Sequence, residues 1–399
     1  MFKGALPGFR DFYPQELAER AYIMRVWREV ARRYAFVEYD GPPLEPLDLY
    51  TKKSGDEIVG QLYSFTDKGD REVALRPEMT PTVARMVAAR ANALRKPVRW
   101  FSIPQLFRYE RQQKGRLREH YQLNVDLFGE ADVSADAELL AACIDIMRSF
   151  GLGPADVVAR VSDRRILHAY LLSLGVADAV VGAVYAIIDK LERTPAAVSS
   201  EKLVALGLPS RAVDAVLRIG TTTVDDVTAA LAGSPAEHEM KNFLRYLGYL
   251  RALGVSEYLR FDLSIVRGLA YYTGIVFEIF DTTGEFRAIA GGGRYDNLLA
   301  SLGGADMPAL GFGMGDVVLG ELLRAKGLMK PADTSADVWI AGDEDTPLER
   351  VMSAAAERRA AGQAVEYALR PQSVNKQKKA AQASGAREFV TLSNDGTNG

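Results

Sequence analysis

The chain has 399 residues, of which 48% are hydrophobic and 25% charged, a balance typical of a globular protein with two or three domains. The formal net charge of −3 argues against nucleic-acid binding through bulk positive charge. A single cysteine excludes an internal disulfide framework, and no Cys/His cluster has the spacing of a zinc site. No apolar run approaches the ~20 residues of a membrane span, and no segment looks like a signal peptide, so we expect a cytoplasmic protein without membrane contact.

The first 150 residues predict helices and strands in alternation. Apolar residues at helical spacing predict a helix over 15–34, and FVEYDGPPLEP is typical of a strand ended by prolines. QLYSFTD and VALRPEM are strand-like, and TPTVARMVAARANAL has the Thr-Pro start of a helix. VRWFSIPQLFRYER and REHYQLNVDLFGE predict two strands joined by a basic loop. SADAELLAACIDIMRSFG predicts a helix with Ser134 as its N-cap.

The rest of the chain divides by composition. Residues 164–255 are rich in Leu, Ala and Val with helical periods, which predicts an inserted helical domain. Strand character returns afterwards, and the tail predicts βαβαβ, a small parallel sheet. We therefore expect core residues 1–163, a helical insertion over 164–255, a second core part over 256–328 and an α/β domain over 335–399.

The hairpin formed by the two central strands predicts one polar and one apolar face. Side chains two residues apart share a face, so Arg108 and Glu110 lie together. On the return strand the polar face carries His120, Gln122, Asn124 and Asp126, and the apolar face carries Tyr121, Leu123, Val125 and Leu127. A solvated face of an antiparallel sheet would give the same alternation. Arginine, carboxylate and amide groups suit directed hydrogen bonds, however, and favour a ligand site.

Two further stretches combine an arginine or glycines with strand-like sequence. Arg267 lies in the apolar stretch SIVRGLAYYTGIVFE, where a buried cation needs an anionic partner, either a ligand or a carboxylate such as Glu278 or Glu78. The glycines of AGGGRYDNLL fit a turn or bulge as well as a ligand cradle. Neither a dinucleotide fingerprint nor a phosphate loop of the G-x-x-x-x-G-K-[ST] type is present.

Together these segments resemble the class II aminoacyl-tRNA synthetases in their histidyl-tRNA synthetase form. FRYERQQKGRLREHYQLNVDLFG is similar to motif 2, VRGLAYYTGIVFE to the histidine-specific signature, and AGGGRYDNLL to the glycine strand beside it. LPGFRDFYP, LRPEMTPTVAR and the proline at Pro42 match further family segments in the same order. The resemblance implies an α+β fold, in which helices flank an antiparallel sheet. It also implies a homodimer formed through the motif 1 region, a helical insertion over the tRNA acceptor stem, and a C-terminal domain that reads the anticodon.

The resemblance also implies an activity. Histidine would be activated by ATP, with Mg²⁺ held mainly by the phosphates and no zinc, and then transferred to the 3′ end of tRNA(His). Arg108 and Arg267 match the catalytic arginines on opposite sides of the α-phosphate. Glu110 matches the residue that meets the adenine amino group, and Arg116 the loop arginine near the terminal phosphates. Gly292 and Arg294 of the glycine strand are assigned to ATP.

The histidine pocket implied by the resemblance combines acidic, amide and tyrosine side chains. Its members are Glu78, Thr80, Gln122, Asp126, Arg267, Tyr271 and Tyr272. Because neutral imidazole offers one hydrogen-bond donor and one acceptor, a carboxylate and a tyrosine hydroxyl complement it. A pocket whose polar groups the wrong substrate would leave unpaired rejects that substrate strongly.

Three features depart from the family pattern. Motif 3 of the family normally ends in Gly-x-Glu-Arg, whose arginine stacks on the adenine ring and contacts the γ-phosphate. Here GFGMGDVVL places Val317 and Val318 at the glutamate and arginine positions. Ala270 replaces the usual aspartate of the histidine signature, and the tail is shorter than a complete anticodon domain. These departures fit the histidine-binding regulatory subunit of ATP phosphoribosyltransferase as an alternative, or a binding module of neither pathway. The retained Arg108, Glu110, Arg116 and Arg267 favour the synthetase, since a histidine sensor needs no phosphate-binding arginines.

Overall fold

A computed structural model describes residues 4–51, 59–110, 115, 117–266 and 272–393. The chain divides into two compact units, one from Met1–Asp11 and Glu19–Lys330 and the other from Phe12–Ala18 and Pro331–Gly399. The predicted division into four parts stays a prediction.

The first helix is α1 (Pro14–Arg33), which belongs to the first unit from Glu19 onwards. The other helices and strands of the first unit before the helical segment are β1 (Val37–Glu38), β2 (Leu44–Pro46), α2 (Asp48–Thr51), β3 (Tyr63–Thr66), β4 (Glu72–Leu75), α3 (Thr80–Arg90), β5 (Val98–Ser102), β6 (Gln105–Phe107), β7 (Glu119–Phe128), α4 (Val133–Ser149) and β8 (Val157–Asp163). The N-cap of α4 is Asp132, whose side chain accepts a hydrogen bond from the Ser134 amide, so the N-cap predicted at Ser134 is wrong.

The remaining elements of the first unit are α5 (Arg164–Ser173), α6 (Asp178–Ile188), α7 (Ala196–Ala205), α8 (Ser210–Leu217), α9 (Val224–Leu231), α10 (Glu237–Ala252), β9 (Leu259–Phe261), β10 (Ile275–Asp281), β11 (Ala290–Arg294), α11 (Leu298–Ser301), β12 (Ala309–Gly315) and α12 (Asp316–Ala325). Short 3₁₀ turns lie at Leu191–Arg193, Ile219–Thr221 and Ser256–Tyr258.

A large sheet forms the centre of the first unit. Its strand order is β1-β5-β7-β12-β11-β10-β8-β9, and β6 pairs with β7 beside this path. All pairs are antiparallel except β1 with β5 and β8 with β9. β2, β4 and β3 form a separate sheet of three strands. The predicted antiparallel α+β fold is therefore confirmed.

One face of the large sheet is packed against helices. Leu123, Val125 and Leu127 of β7 are buried in a hydrophobic cluster that also contains Leu140 of α4 and Leu319 of α12. Because side chains alternate along a strand, the residues between them point to the other face. The predicted apolar stripe of β7 is therefore confirmed, and the opposite face is left for polar groups.

The helical segment from α5 to α10 shares this hydrophobic core. α10 packs against α4, and buried Phe243 and Tyr246 of α10 belong to the same cluster as β7. Within the described residues no single helix has the length and apolar composition of a membrane span. The pair α5 and α6, bent by 117°, passes such a test together by length and composition, but its buried side chains are part of the shared core.

The second unit contains β13 (Val338–Gly342), α13 (Leu348–Ala360), β14 (Val365–Tyr367), α14 (Val374–Ser384) and β15 (Glu388–Leu392). These strands form a parallel sheet in the order β14-β13-β15, and the central strand β13 is buried throughout. This is the expected pattern for a parallel strand covered on both faces. The βαβαβ order predicted from the tail is confirmed.

Candidate active site

A cavity of about 690 Å³ lies on the polar face of the large sheet. Eight of the residues predicted from the sequence line it, namely Glu78, Thr80, Arg108, Glu110, Gln122, Asp126, Tyr272 and Gly292. The alternation predicted for the hairpin therefore holds, because His120, Gln122, Asn124 and Asp126 of β7 all line the cavity. Three predicted residues, Arg116, Arg267 and Tyr271, and the departure at Ala270, lie outside the described residues.

Arg294 does not line this cavity, although the sequence analysis assigned it to ATP. Its buried guanidinium forms an ion pair with Asp136 of α4 at 2.5 Å and another with Asp296 at 3.2 Å. It also donates a hydrogen bond to the backbone carbonyl of Glu130 at 3.0 Å. These contacts join β11 to α4, and the assignment of Arg294 to ATP stays a prediction that none of them supports.

Asp126 forms the buried acidic end of the cavity. Its Oδ1 accepts a hydrogen bond from the Tyr295 hydroxyl, while its buried Oδ2 has no partner within the described part of the chain. Burial raises the pKa of Asp126 to about 7, and the hydrogen bond from Tyr295 only partly opposes this shift. A buried acceptor without a partner costs free energy, which a ligand donor such as an imidazole N–H would recover.

Glycines make room for the polar side chains of β7. In the β7–β12 register Gly311 faces Asp126 and Gly313 faces Asn124. A Cβ atom on Gly311 would lie 2.5 Å from Asp126 Oδ1 and 2.7 Å from the Val125 carbonyl oxygen. On Gly292 of β11 it would lie 2.4 Å from the Gly311 carbonyl oxygen. Because these positions are glycine, no side chain covers the backbone at the centre of the cavity floor.

Tyr272 stands beside the same acidic end. Burial raises the pKa of its hydroxyl, and the nearby carboxylates of Glu78, Glu278 and Asp126 raise it further. The hydroxyl is therefore protonated at neutral pH and can donate a hydrogen bond. Its ring lies 6.4 Å from that of Tyr295, which lines the same end.

Arg108 and Glu110 mark the other end of the cavity. The Arg108 Nε donates a hydrogen bond to the Pro77 carbonyl at 2.9 Å, which fixes the side chain at the sheet. Arg118, on the return side of the hairpin, lies 4.0 Å above the Tyr109 ring and donates to the Glu110 carbonyl at 3.4 Å. Strand periodicity does not predict this stacked arginine, which stabilises the hairpin beside the two cavity-lining residues.

His120 lines the cavity between these groups, but the sequence analysis gave it no role. Burial lowers the pKa of its imidazole to about 3, and the positive charges of Arg108 and Arg10 lower it further. The ring is therefore neutral at any pH at which the protein would act. Its place on the polar stripe was the only signal available in the sequence.

An ion-pair network joins the N-terminal segment to this end of the sheet. Arg10 contacts Glu119 of β7 at 2.6 Å and Asp316 of α12 at 2.9 Å. Asp316 also accepts a hydrogen bond from the Tyr121 amide at 2.9 Å, and Gln105 donates to Glu119 at 3.0 Å. The LPGFRDFYP segment thus holds the beginning of β7 and the beginning of α12 together.

Val317 and Val318, at the start of α12, line the cavity where the family pattern has a glutamate and an arginine. Val318 is buried, with 9% of its surface exposed. Four further residues, to which the sequence assigned no ligand contact, also line the cavity, namely Asn124, Tyr295, Glu278 and Arg287. Asn124 and Tyr295 lie within the quoted motifs, whereas Arg287 carried no motif signal.

The described residues contain no group of three or more His, Cys, Asp or Glu side chains placed to hold a metal ion. Glu110 and Glu278 nevertheless supply carboxylates at the cavity wall. Mg²⁺ bound mainly through nucleotide phosphates takes one or two such carboxylates from a protein. The donor set therefore fits an ion that arrives with its nucleotide.

The antiparallel sheet, with a hairpin whose arginine and glutamate face a glycine-floored cavity, agrees with the fold of the class II aminoacyl-tRNA synthetases. Residues 8–315 match the family model described as histidyl-tRNA synthetase. A histidine–tRNA ligase from Opitutus terrae is 47% identical over 390 residues, covering 96% of this chain and 89% of the relative. One from Thermoplasma volcanium is 38% identical over 387 residues, covering 96% and 89%.

The fold agrees with these matches. The solved structure of histidyl-tRNA synthetase from Nostoc sp. PCC 7120 aligns with a TM-score of 0.83 at 24% identity, covering 99% of this chain and 93% of that one. The chain belongs to the histidyl-tRNA synthetase family.

Proposed function

We propose that the chain is an ATP-dependent histidine–tRNA ligase whose two half-reactions take place in the cavity on the sheet. A carboxylate oxygen of histidine attacks the α-phosphorus of ATP, the bond to the β-phosphate oxygen breaks, and pyrophosphate leaves. A hydroxyl of the terminal tRNA adenosine then attacks the carbonyl carbon, loses its proton, and displaces AMP. One observation carries the proposal: a buried acidic end and an arginine-bearing end share one cavity on one face of β7.

The acidic end suits the histidine side chain. The Asp126 carboxylate and the protonated Tyr272 hydroxyl offer an acceptor and a donor, which match the N–H and the unprotonated nitrogen of a neutral imidazole. Glu78, which is buried at the same end, suits the α-amino group. Thr80 and Gln122 also line the cavity. The family pattern adds Tyr271 and Arg267 to this pocket.

The other end suits the nucleotide. Arg108 is held with its guanidinium at the cavity, where it would neutralise charge that develops on the α-phosphate. Glu110 would accept a hydrogen bond from the adenine amino group, and Gly292 lets the ligand approach the sheet backbone. Arg267 and Arg116 complete the cationic set by family pattern. Phosphoryl-type transfer depends on such positioning and charge neutralisation more than on covalent help from the protein.

Magnesium would enter with ATP, held mainly by the phosphates, and the Glu278 carboxylate at the cavity wall is available to it. Bound there, it would neutralise phosphate charge. The proposal further includes tRNA(His) as partner, a homodimer and a cytoplasmic location, as the family pattern implies. The α/β unit is proposed to contact the anticodon, and the helical segment from α5 to α10 the acceptor stem.

Histidine-dependent exchange of pyrophosphate into ATP tests the first half-reaction, and charging of tRNA(His) tests the second. We expect exchange that requires histidine and that does not occur with other amino acids. Folded protein without exchange above background would contradict the proposal. Exchange without charging would mean that the chain activates histidine but does not recognise the tRNA.

The regulatory subunit of ATP phosphoribosyltransferase stays the alternative reading. It would bind histidine without activating it, and it would form a stable complex with the catalytic subunit of that enzyme. The Arg108 guanidinium fixed at the cavity favours the ligase, because histidine binding alone has no use for a phosphate contact.

A further inference from the structure

We propose that Arg287 binds the terminal phosphates of ATP and supplies the positive charge that Val318 lacks. This inference rests on the proposed function and assigns one further binding residue to it. Arg287 lies in the connection between β10 and β11, outside the three family motifs, and its exposed side chain lines the cavity.

Arg287 and Val318 face the same point of the cavity. The position that a Cβ atom would occupy on Gly115, in the loop between β6 and β7, lies 3.4 Å from Val318 Cγ2 and 3.8 Å from Arg287 Cδ. Both side chains therefore flank one residue of the basic loop. A cation carried by Arg287 occupies the neighbourhood that a longer side chain at Val318 would reach.

The sheet register explains why two residues distant in sequence meet here. Ala290, the first residue of β11, pairs with Met314 near the end of β12. The segment that enters β11 and the segment that leaves β12 therefore lie at the same edge of the sheet. Arg287 precedes β11 and Val318 follows β12, so both side chains stand at this edge.

The connection that carries Arg287 is held in place by a buried carboxylate. Asp281 accepts hydrogen bonds from the backbone amides of Glu285 at 3.1 Å and Phe286 at 3.0 Å, and from the Thr283 hydroxyl. Burial tends to raise the pKa of Asp281, but these hydrogen bonds outweigh it, so the pKa lies below its usual value. The carboxylate is therefore ionised at neutral pH, and the backbone leading into Arg287 is fixed.

Among the described residues that line the cavity, the cationic side chains are Arg108, Arg193 and Arg287. Arg108 is fixed to the Pro77 carbonyl at the sheet, where it faces the proposed α-phosphate. Arg193 follows Glu192, which forms an ion pair with Arg160 of β8 at 2.6 Å. In the sheet β11 and β10 lie between β12 and β8. Arg193, next to the partner of β8, is therefore associated with a strand distant from β12, which leads into Val318. Arg287 is thus the cavity cation placed beside Val318.

A guanidinium suits this task chemically. Its planar fork donates two parallel hydrogen bonds to phosphate oxygens, and such charge-assisted contacts contribute about 1.5–3 kcal/mol. A contact to the γ-phosphate would act mainly on ATP binding, because the bond that breaks joins the α-phosphorus to the β-phosphate oxygen. Removing it should raise the KM for ATP by about 10- to 100-fold.

The test compares Arg287→Ala, Val318→Arg and the double variant in histidine-dependent ATP–pyrophosphate exchange. Arg287→Ala should raise the KM for ATP as stated and change the KM for histidine less than about threefold. The double variant should recover most of the lost ATP affinity, because the new arginine at residue 318 reaches the same neighbourhood. Arg25→Ala is the matched control, since it removes an exposed cation on α1 that contacts Glu29.

The inference would be overturned if the KM for ATP of Arg287→Ala lay within about twofold of the wild-type value, or if its KM for histidine rose equally. It would also be overturned if the double variant folded but had a KM for ATP no lower than that of Arg287→Ala. Calorimetric titration of the wild-type and Arg287→Ala chains with ATP decides the question if a Val318→Arg chain fails to fold. Titration also separates the two proposals. A wild-type chain that binds ATP without exchange contradicts the ligase, whereas unchanged ATP affinity in Arg287→Ala contradicts the role of Arg287.

Discussion

The two ends of the cavity differ in how their polar groups are held. At the histidine end Asp126, Tyr295 and Glu78 are buried, and Gly311 admits the carboxylate of Asp126 next to the backbone. At the nucleotide end Arg287 is exposed, and a buried valine stands at the family's arginine position. A buried pocket suits discrimination of a small side chain, because each unpaired group is costly there. A more open end with arginines suits a large, flexible and highly charged ligand.

The comparison predicts that Arg108→Ala has the largest effect on the nucleotide end. Loss of a charge-assisted contact to the α-phosphate should reduce kcat for adenylate formation by about 10- to 100-fold. Single-turnover measurement of histidyl-adenylate formation gives this rate. Equilibrium binding of histidine alone should change little. If histidine binding were lost to the same extent as the rate, Arg108 would support the whole cavity. The proposed separation into a histidine end and a nucleotide end would then be wrong.

Asp126→Asn should act at the histidine end instead. Asparagine keeps an oxygen for the Tyr295 hydroxyl but replaces the unpaired acceptor Oδ2 by an amide donor, which an imidazole N–H cannot pair with. We expect the KM for histidine to rise by about 10- to 100-fold and the affinity for ATP alone to stay within about threefold. Calorimetric titration with each substrate separately measures both. A comparable loss for ATP would mean that the two ends are not independent.

Gly311→Ala tests whether the glycine floor is needed for the buried end. The added methyl group would lie 2.5 Å from Asp126 Oδ1 and 2.7 Å from the Val125 carbonyl, so backbone and carboxylate must shift. Such overpacking should lower the free energy of unfolding by about 1–3 kcal/mol and weaken histidine binding. Gly248→Ala on α10 is the matched control, because a Cβ atom there meets nothing within 4 Å. Urea unfolding of both variants measures the difference, and equal stability of the two would refute the steric argument.

The last predicted effect concerns pH and the stability of the ligand-free chain. The folded-state pKa of Asp126 is raised to about 7, above its unfolded value, so its contribution to stability is full below about pH 4 and is lost as pH rises to about 7. Asp126→Asn lacks this titration. The stability of the wild type relative to the variant should therefore fall, by at most about 4 kcal/mol, between about pH 4 and about pH 8. Urea unfolding at both pH values checks this, and a difference that is independent of pH would contradict the raised pKa.

The polar stripe of the hairpin could be predicted from sequence because strand periodicity is local. Arg108, Glu110, Gln122 and Asp126 reach one cavity for this reason alone. The role of Arg294 could not be predicted, because its partner Asp136 is 158 positions away in sequence and packing decides the pairing. The motif suggested a ligand contact for an arginine that the fold uses internally.

The sequence likewise did not predict that the connection between β10 and β11 places a residue in the cavity. Nothing in the order of residues 282–289 marks a binding loop, and only the register of Ala290 with Met314 brings Arg287 beside Val318. The same holds for Gly311, whose need to be glycine follows from the Asp126 carboxylate across the strand pair. Periodicity predicts which face a residue takes, whereas these close approaches depend on how strands are paired.

The central claim is that the cavity binds histidine at Asp126 and ATP at Arg108. The most direct measurement is a crystal structure of the full chain with histidine and a non-hydrolysable ATP analogue. We expect an imidazole nitrogen within hydrogen-bond distance of Asp126 Oδ2 and the α-phosphate within hydrogen-bond distance of the Arg108 guanidinium. Histidine bound away from Asp126, or the triphosphate bound away from Arg108, would contradict it.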